Sequence, residues 1–419
     1  MGSNVELKST FDSHHPTRCV TPALSTRRAP LKALTGIRFF AAIHVVLYHY
    51  AGEALSGAHW SILAIVACGP SAVSLFYVLS GIVLVYSCTN DTGLSSSRAS
   101  FWRARFARIY PTYLLALIID GPFFLSAMLK AHDGLGVALW GVPIGLLAVL
   151  LLHAWTPLSV FAWNTPGWSV SAEAFFYSVF PSVSARLKSG SARQLLGRAS
   201  FFYALALVPP ALVVLAESSG ASWLRMQVPA GSGGLDLHTW IVRFAGFSPI
   251  ARLPEFLVGI CVGYWLVTNR PSLSASQATA FEIGAVALLT TAWIALGVHP
   301  VPTKTWLDSG LLSPLFVLLL VALAMGSGAL ARMLTLRPFQ VLGDASYAMY
   351  ILQEPVLIWS AKIPIIGASP RGFFIPFYVV TLILASIACQ RFVAEPARIW
   401  LLGRLPATAA GTLQPARGN

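Results

Sequence analysis

The chain is a series of long, uncharged apolar runs joined by short polar connections, and that pattern leaves very few folds open. A helix needs about 20 apolar residues to cross the hydrocarbon core of a bilayer. Such runs lie at about 37–52, 60–87, 109–128, 134–153, 168–184, 201–216, 250–267, 279–298, 311–329, 346–361 and 372–390. Inside lipid every backbone polar group must be satisfied internally, so only helices and closed barrels span. Barrel strands alternate in hydrophobicity residue by residue, and these runs do not. Only 10% of the residues are charged, against about 25% in a soluble domain, which excludes a soluble enzyme and a disordered chain alike. The expected fold is all-α, a polytopic transmembrane helical bundle. The expected organisation is a flexible cytoplasmic tail over 1–30, a membrane domain over 31–400 and a cytoplasmic tail over 401–419.

Charge placement sets the expected topology. Lys and Arg number 28 against 15 Asp and Glu, a net charge of +13. The basic residues sit in connections between runs, where they mark the cytoplasmic side. Arg27, Arg28 and Lys32 place the start of the first run inside, and Arg98, Arg103, Arg105 and Arg108 do the same after the second. Arg186, Lys188, Arg193 and Arg198 also read as inside, yet three runs separate them from Arg108, which is the wrong parity. About ten crossings, with one middle segment re-entrant or interfacial, resolve this, and Asn164–Pro181 is the expected exception. Arg391, Arg398 and Arg404 return the chain to the inside. A multi-pass protein of the cytoplasmic (inner) membrane with both termini cytoplasmic follows, with the lipid bilayer as its surroundings. No basic helix with an aromatic platform is present, so nucleic acid is not an expected partner. The five cysteines form no CxxC pair, so neither a disulfide framework nor a metal site is expected.

Ionisable residues inside the runs carry the functional argument, because a charge near the bilayer centre costs about 2.5–3.5 kcal/mol on insertion scales. They are Arg38, His44, His49, His153, Glu173, Arg252, Glu255, Glu282 and Glu354. Arg38 and His49 stand eleven residues apart in the first run. At about 100° and about 1.5 Å per residue they share one helical face, roughly 16 Å apart along the axis. That face carries a cation near the cytoplasmic end and an imidazole deeper in the membrane. A snorkelling anchor and a satisfied buried histidine are the plainer readings of the two. Arg105 and Arg108 are three apart and neighbours on a helix; paired guanidinium groups suit phosphate oxygens, although topology anchors have the same look. In Asn164-Thr-Pro-Gly-Trp168-Ser169-Val-Ser-Ala-Glu173, followed by Tyr177, polar groups surround a carboxylate. They suit either a hydroxylated ligand or the start of a helix. Arg252 and Glu255 are spaced to pair with each other. Tyr347, Tyr350 and Gln353 open a further run, and Ser80-Gly81 suits close helix packing. No P-loop, GxGxxG, HExxH or GxSxG stands in a credible context. A transporter or flippase of a sugar-containing or lipid-linked substrate, using the same charges as a path, is the rival class.

Taken in order, these stretches resemble the acyltransferase-3 family of integral-membrane O-acyltransferases over about 31–400. The resemblance rests on Arg38 with His49, Leu75–Gly81, Arg105 and Arg108 with Ile109-Tyr110-Pro111, Trp168–Glu173 with Tyr177 and Pro181, Ser346–Tyr350, and Glu395-Pro396. The family often has histidine at the position of Gln353 and aspartate at that of Ser74. The resemblance implies a cytoplasmic acyl-CoA as co-substrate, acetyl-CoA by default, with no permanently bound cofactor. It implies a hydroxylated acceptor: a glycan, a lipid-linked sugar or a macrolide-like molecule. Polysaccharide O-acetylation is one activity of this kind. On that reading Arg38, Arg105 and Arg108 hold CoA phosphates, and a buried His49 is general base or acyl carrier. Glu173 orients the imidazole or binds acceptor hydroxyls. Asn164, Trp168, Ser169, Tyr177, Arg252, Glu255, Tyr347 and Gln353 support the acceptor.

Overall fold

A computed structural model describes residues 28, 31–131, 134–220, 235–269, 271–298, 303–307 and 309–403. Most of the two expected tails, with Arg27 and Arg404, lies outside the described residues. The regular structure among these residues is helical apart from a short ribbon, in which Thr89–Asn90 pairs antiparallel with Gly93–Leu94.

The first half contains α1 (Lys32–Tyr50), α2 (Trp60–Ala67), α3 (Ser71–Cys88), α4 (Arg98–Ala131), α5 (Gly134–Gly136), α6 (Val142–Val149), α7 (Gly167–Leu187), α8 (Ala192–Ala206) and α9 (Val208–Ser218). The second half contains α10 (Leu237–Phe247), α11 (Pro249–Asn269), α12 (Ala275–Gly297), α13 (Thr303–Leu307), α14 (Ser313–Met325) and α15 (Ala329–Leu334). It closes with α16 (Arg337–Lys362), α17 (Pro364–Gly367), α18 (Arg371–Cys389) and α19 (Glu395–Gly403). Local chemistry marks the boundaries. Ser191 with Gln194 and Ser274 with Gln277 form reciprocal capping boxes that start α8 and α12. Gly326, at φ 74°, ends α14 in the left-handed region.

Among the described residues, six helical stretches are long and apolar enough to cross a membrane: 71–88, 98–131, 192–218, 237–269, 275–297 and 371–403. The other five runs fall on α1, α7 and α16, which have 19, 21 and 26 residues, and on the shorter apolar stretches 134–149 and 313–325. Those three long helices are the ones that carry Arg38, Glu173 and Glu354.

One expectation needs correction. The run 60–87 is not one segment: α2 and α3 are separate helices, because Pro70 blocks continuation and Gly69 lies against Tyr48 and the His44 carbonyl, leaving no room for a side chain. Within Asn164–Pro181, only 164–166 are irregular. From Pro166 onward α7 runs unbroken for 21 residues, roughly 31 Å. The irregular backbone lies just before it, over 150–166. There Leu151 sits at φ 58°, a strained value for a leucine, and its carbonyl accepts from Ser171 Oγ at 2.6 Å.

The core is organised by close crossings. Gly81 of α3 and Gly259 of α11 meet backbone to backbone, Gly259 against the Val78 carbonyl. Gly36 of α1 and Gly343 of α16 meet in the same way. Small residues allow this where lipid supplies no hydrophobic drive between helices. The two crossings join α3 to α11 and α1 to α16, and α4 and α7 pack alongside, α4 on α16 and α7 on α3 and α11.

Candidate active site

Arg38, Arg105, Arg108, Glu173, Tyr177 and Tyr347 come together from four helices. Glu173 accepts a short hydrogen bond from Tyr177 Oη, one turn along α7, and a longer one from Ser80 Oγ at 3.5 Å. The charges bearing on Arg38 are those of Arg108, Glu173 and Asp344. The guanidinium of Arg105 lies over the rings of Phe101 and Tyr177, 5.8 and 6.0 Å from their centroids. Trp102 donates from Nε1 to the Tyr177 carbonyl at 3.1 Å, tying α4 to α7. Tyr347 donates to the Ile109 carbonyl at 2.9 Å, tying α16 to α4. Three cations thus meet the carboxylates of Glu173 and Asp344. Among the described residues, Nε of Arg38 and of Arg105 is buried without a hydrogen-bond partner. Donors of this kind, held in place by packing, suit an oxyanion ligand.

At the other end of α1, His49 occupies the last turn, one residue before the helix stops. Its side chain is exposed at the protein surface. Its Nδ1 lies 3.3 Å from Oε1 of Gln353, a residue with no exposed surface. The amide of Gln353 is itself fixed, since Nε2 donates to the Tyr350 carbonyl at 2.7 Å. Oε1 can therefore only accept, so Nδ1 of His49 carries the proton and Nε2 is the ring's acceptor. The orienting partner of the imidazole is thus Gln353. Glu173 is engaged by Tyr177 and Ser80 at the arginine cluster.

Glu354 and the Ile351 carbonyl hold the irregular segment. Glu354 accepts from the backbone N–H of Thr165 at 2.6 Å and from its hydroxyl at 3.1 Å. Asn164 donates to the Ile351 carbonyl at 3.2 Å. Tyr378 of α18 donates to the Gln353 carbonyl at 2.9 Å, and its ring meets Tyr50 edge-on.

A third group lies deeper. Arg252 and Glu255 do pair, at 3.2 Å, each side chain 1% exposed. Arg252 also donates to Ser74 Oγ at 3.1 Å and lies over the rings of Tyr77 and Trp168. Ser169 donates to the Pro166 carbonyl at 3.0 Å, at the start of α7. These residues link α3, α7 and α11 behind the first two clusters.

Other ionisable candidates are accounted for by structure. Glu282 accepts from the N–H groups of Leu330 and Ala331, at 2.8 and 3.1 Å, at the start of α15. His44 bonds the Ile65 carbonyl at 2.7 Å and packs on Trp293. His153 is 3% exposed and stacks on Tyr113. Sequence reasoning missed Asp120, a carboxyl in the apolar run of α4 that is 3% exposed. The rule that picked out Glu173 would have found it.

The acyltransferase domain family matches residues 31–389. Acyltransferase MdmB of Streptomyces mycarofaciens is 32% identical over 248 residues, 57% of this chain and 58% of its own length. O-acetyltransferase OatA of Staphylococcus aureus is 22% identical over 395 residues, 88% of this chain and 57% of its own length. The chain therefore spans a little under three fifths of the length of either relative. No solved structure matches.

Proposed function

This chain belongs to the acyltransferase domain family, and from that premise we propose that it is a multi-pass membrane O-acyltransferase. It takes an acyl group, acetyl by default, from acyl-CoA and places it on a hydroxyl of a glycan, a lipid-linked sugar or a glycosylated small molecule. The observation that carries this reading is the layout of α1. Its two functional side chains stand eleven residues apart, about 16 Å along the axis. One joins a cluster of arginines and the other is an oriented imidazole. That separation suits an extended pantetheine arm between phosphates and thioester.

Arg38, Arg105 and Arg108 hold the phosphates, with Glu173 and Tyr177 fixing how the guanidinium groups sit. The basic residues flanking this end favour a cytoplasmic side, where acyl-CoA is found, and with it an inner-membrane protein. At the other end, Nε2 of His49 takes the proton of the acceptor hydroxyl as the oxygen attacks the thioester carbonyl. The carbon–sulfur bond breaks, and the leaving thiolate receives that proton from the imidazolium. Positioned proton transfer of this sort contributes about 10²–10⁴-fold. As the ring becomes charged, its Nδ1–H bond to Gln353 strengthens, so Gln353 favours the transition state over the ground state.

The test uses purified protein in lipid nanodiscs with radiolabelled acetyl-CoA. Label should bind the wild type and pass to a hydroxylated acceptor in a host extract. Hydroxylamine-sensitive label left on the protein without acceptor would replace the base by an acyl-histidine. Substrate movement across a vesicle membrane without chemical change would replace the enzyme by a transporter.

A further inference from the structure

Among the described residues, Asp120 is an ionisable group of the bundle interior whose presence neither packing nor the proposed donor site explains. It lies on α4 within an apolar run and is 3% exposed. Among the described residues its Oδ1 is buried with no hydrogen-bond partner, and no basic side chain pairs with it. A carboxyl so placed costs about 2.5–3.5 kcal/mol on insertion scales. Its surroundings raise the cost: the charge that bears on it is the carboxylate of Glu354. Glu354 cannot relieve it, because both its oxygens are engaged by Thr165. Tyr50, the residue after His49, faces both carboxyls. The neighbouring turn of α4 is docked on α16 through Trp359, whose Nε1 donates to the Ile119 carbonyl at 3.1 Å. Asp120 is therefore held at the His49 end of the bundle, away from the arginine cluster.

We propose that Asp120 is a subsite for the acceptor, its free oxygen taking a hydrogen bond from an O–H or N–H⁺ of the acceptor close to the hydroxyl that is acylated. The complement to two neighbouring carboxyls, one of them without a protein partner, is a donor-rich ligand. A polyol supplies neutral donors and an amino sugar supplies a cation; both present the same hydrogen-bond chemistry to Oδ1. The position fits the order of events, since a donor anchored at Asp120 holds the acceptor beside the ring that removes its proton. Beyond Asp120 the rest of α4 is mostly apolar, with Ser126 and Lys130 the exceptions. An open apolar groove of about 270 Å³, lined by Phe124, Met128, Val149 and Trp163, lies on this side. Trp163 directly precedes the Asn164–Thr165 pair at the site, so the apolar body of an acceptor has a place on the same side.

This subsite rests on the acyltransferase reading, and the experiment separates the two. Wild type and D120N in nanodiscs receive radiolabelled acetyl-CoA and graded amounts of a whole-host extract as acceptor. A parallel arm divides the extract on a cation exchanger into amine-bearing and neutral fractions. Asp120→Asn keeps the volume and removes the charge. The amount of extract giving half-maximal transfer should rise at least about tenfold, the loss expected for one bond to a charged group. The maximal rate and the acetyl-CoA Kd should stay within about twofold. A larger effect on the amine-bearing fraction identifies the cation; an equal effect identifies hydroxyls. An unchanged half-saturation, or a loss confined to the maximal rate or to acetyl-CoA affinity, overturns the subsite. E354Q serves as a control for structural damage, because it disturbs the Thr165 anchor and should lower the maximal rate. No transfer of label by the wild type would sink the acyltransferase reading instead.

Discussion

Replacing Gln353 by leucine tests the orientation of His49 without touching His49. The side chain has no exposed surface and makes two bonds, 3.3 Å to His49 Nδ1 and 2.7 Å to the Tyr350 carbonyl. Leucine fills the volume and removes both. In the ground state the bond to a neutral imidazole contributes about 0.5–1.5 kcal/mol. In the transition state the ring is becoming a cation, and the same bond becomes one to a charged group, about 1.5–3 kcal/mol. Only the difference, about 1–1.5 kcal/mol, appears in the rate, so kcat should fall by about tenfold. Since neither substrate touches Gln353 in this account, KM for acyl-CoA and for acceptor should hold within about twofold. Gln353→His supplies another acceptor for the Nδ1 proton and should recover part of the loss. The assay is steady-state transfer from labelled acetyl-CoA, normalised to folded protein by size exclusion. A kcat within about twofold of wild type, or a change seated in KM, would refute the argument that Gln353 sets the tautomer.

Arg105→Ala and Arg108→Ala should each raise the KM for acyl-CoA by about 10- to 100-fold, with a smaller effect on kcat, as loss of a phosphate contact predicts; titration with labelled acetyl-CoA checks this. A Cβ at Gly259 would meet the Val78 backbone, whereas one at Gly284 would meet nothing within 4 Å. Gly259→Leu should therefore yield no monodisperse protein in detergent, and Gly284→Leu should behave as wild type. Glu282→Ala strips the acceptor from two N–H groups at the start of α15 and should cost about 1–3 kcal/mol. A lower thermal midpoint with unchanged kcat is the expected pair of readings.

Much of this architecture is legible in the sequence because lipid imposes a simple rule. Runs without charge must be helices, and every one of the expected runs does fall on helix. The breaks are less legible. Proline is tolerated inside α4 at Pro111 and Pro122 and inside α7 at Pro181, yet Pro70 separates two helices. The difference is tertiary, since Gly69 is pressed against α1. The irregular stretch over 150–166 looks like ordinary apolar sequence up to Trp155; it is fixed from outside, by Ser171 holding the Leu151 carbonyl and Glu354 holding Thr165.

In the site, helical spacing correctly aligned Arg38 with His49, because both lie on one helix. Spacing could not say that Glu173 belongs with the arginines while Gln353 belongs with the imidazole. Those partnerships join α1, α4, α7 and α16, which are far apart in the chain. Nor does the apolar run show where α1 stops, one residue after His49, at Tyr50. Asp120 carries the same signal as the residues that were singled out, a lone charge in an apolar run. Its meaning depends on Glu354 and Tyr50, which the sequence keeps far from it.

The most direct test of the central claim compares wild type with His49→Ala in nanodiscs, measuring both acetyl-CoA binding and transfer of label to a hydroxylated acceptor. The layout of α1 separates the two jobs, so the variant should bind acetyl-CoA with wild-type Kd and transfer at least about 10²-fold more slowly. Transfer at a near wild-type rate by the variant, or failure of the wild type to consume acetyl-CoA at all, would contradict it.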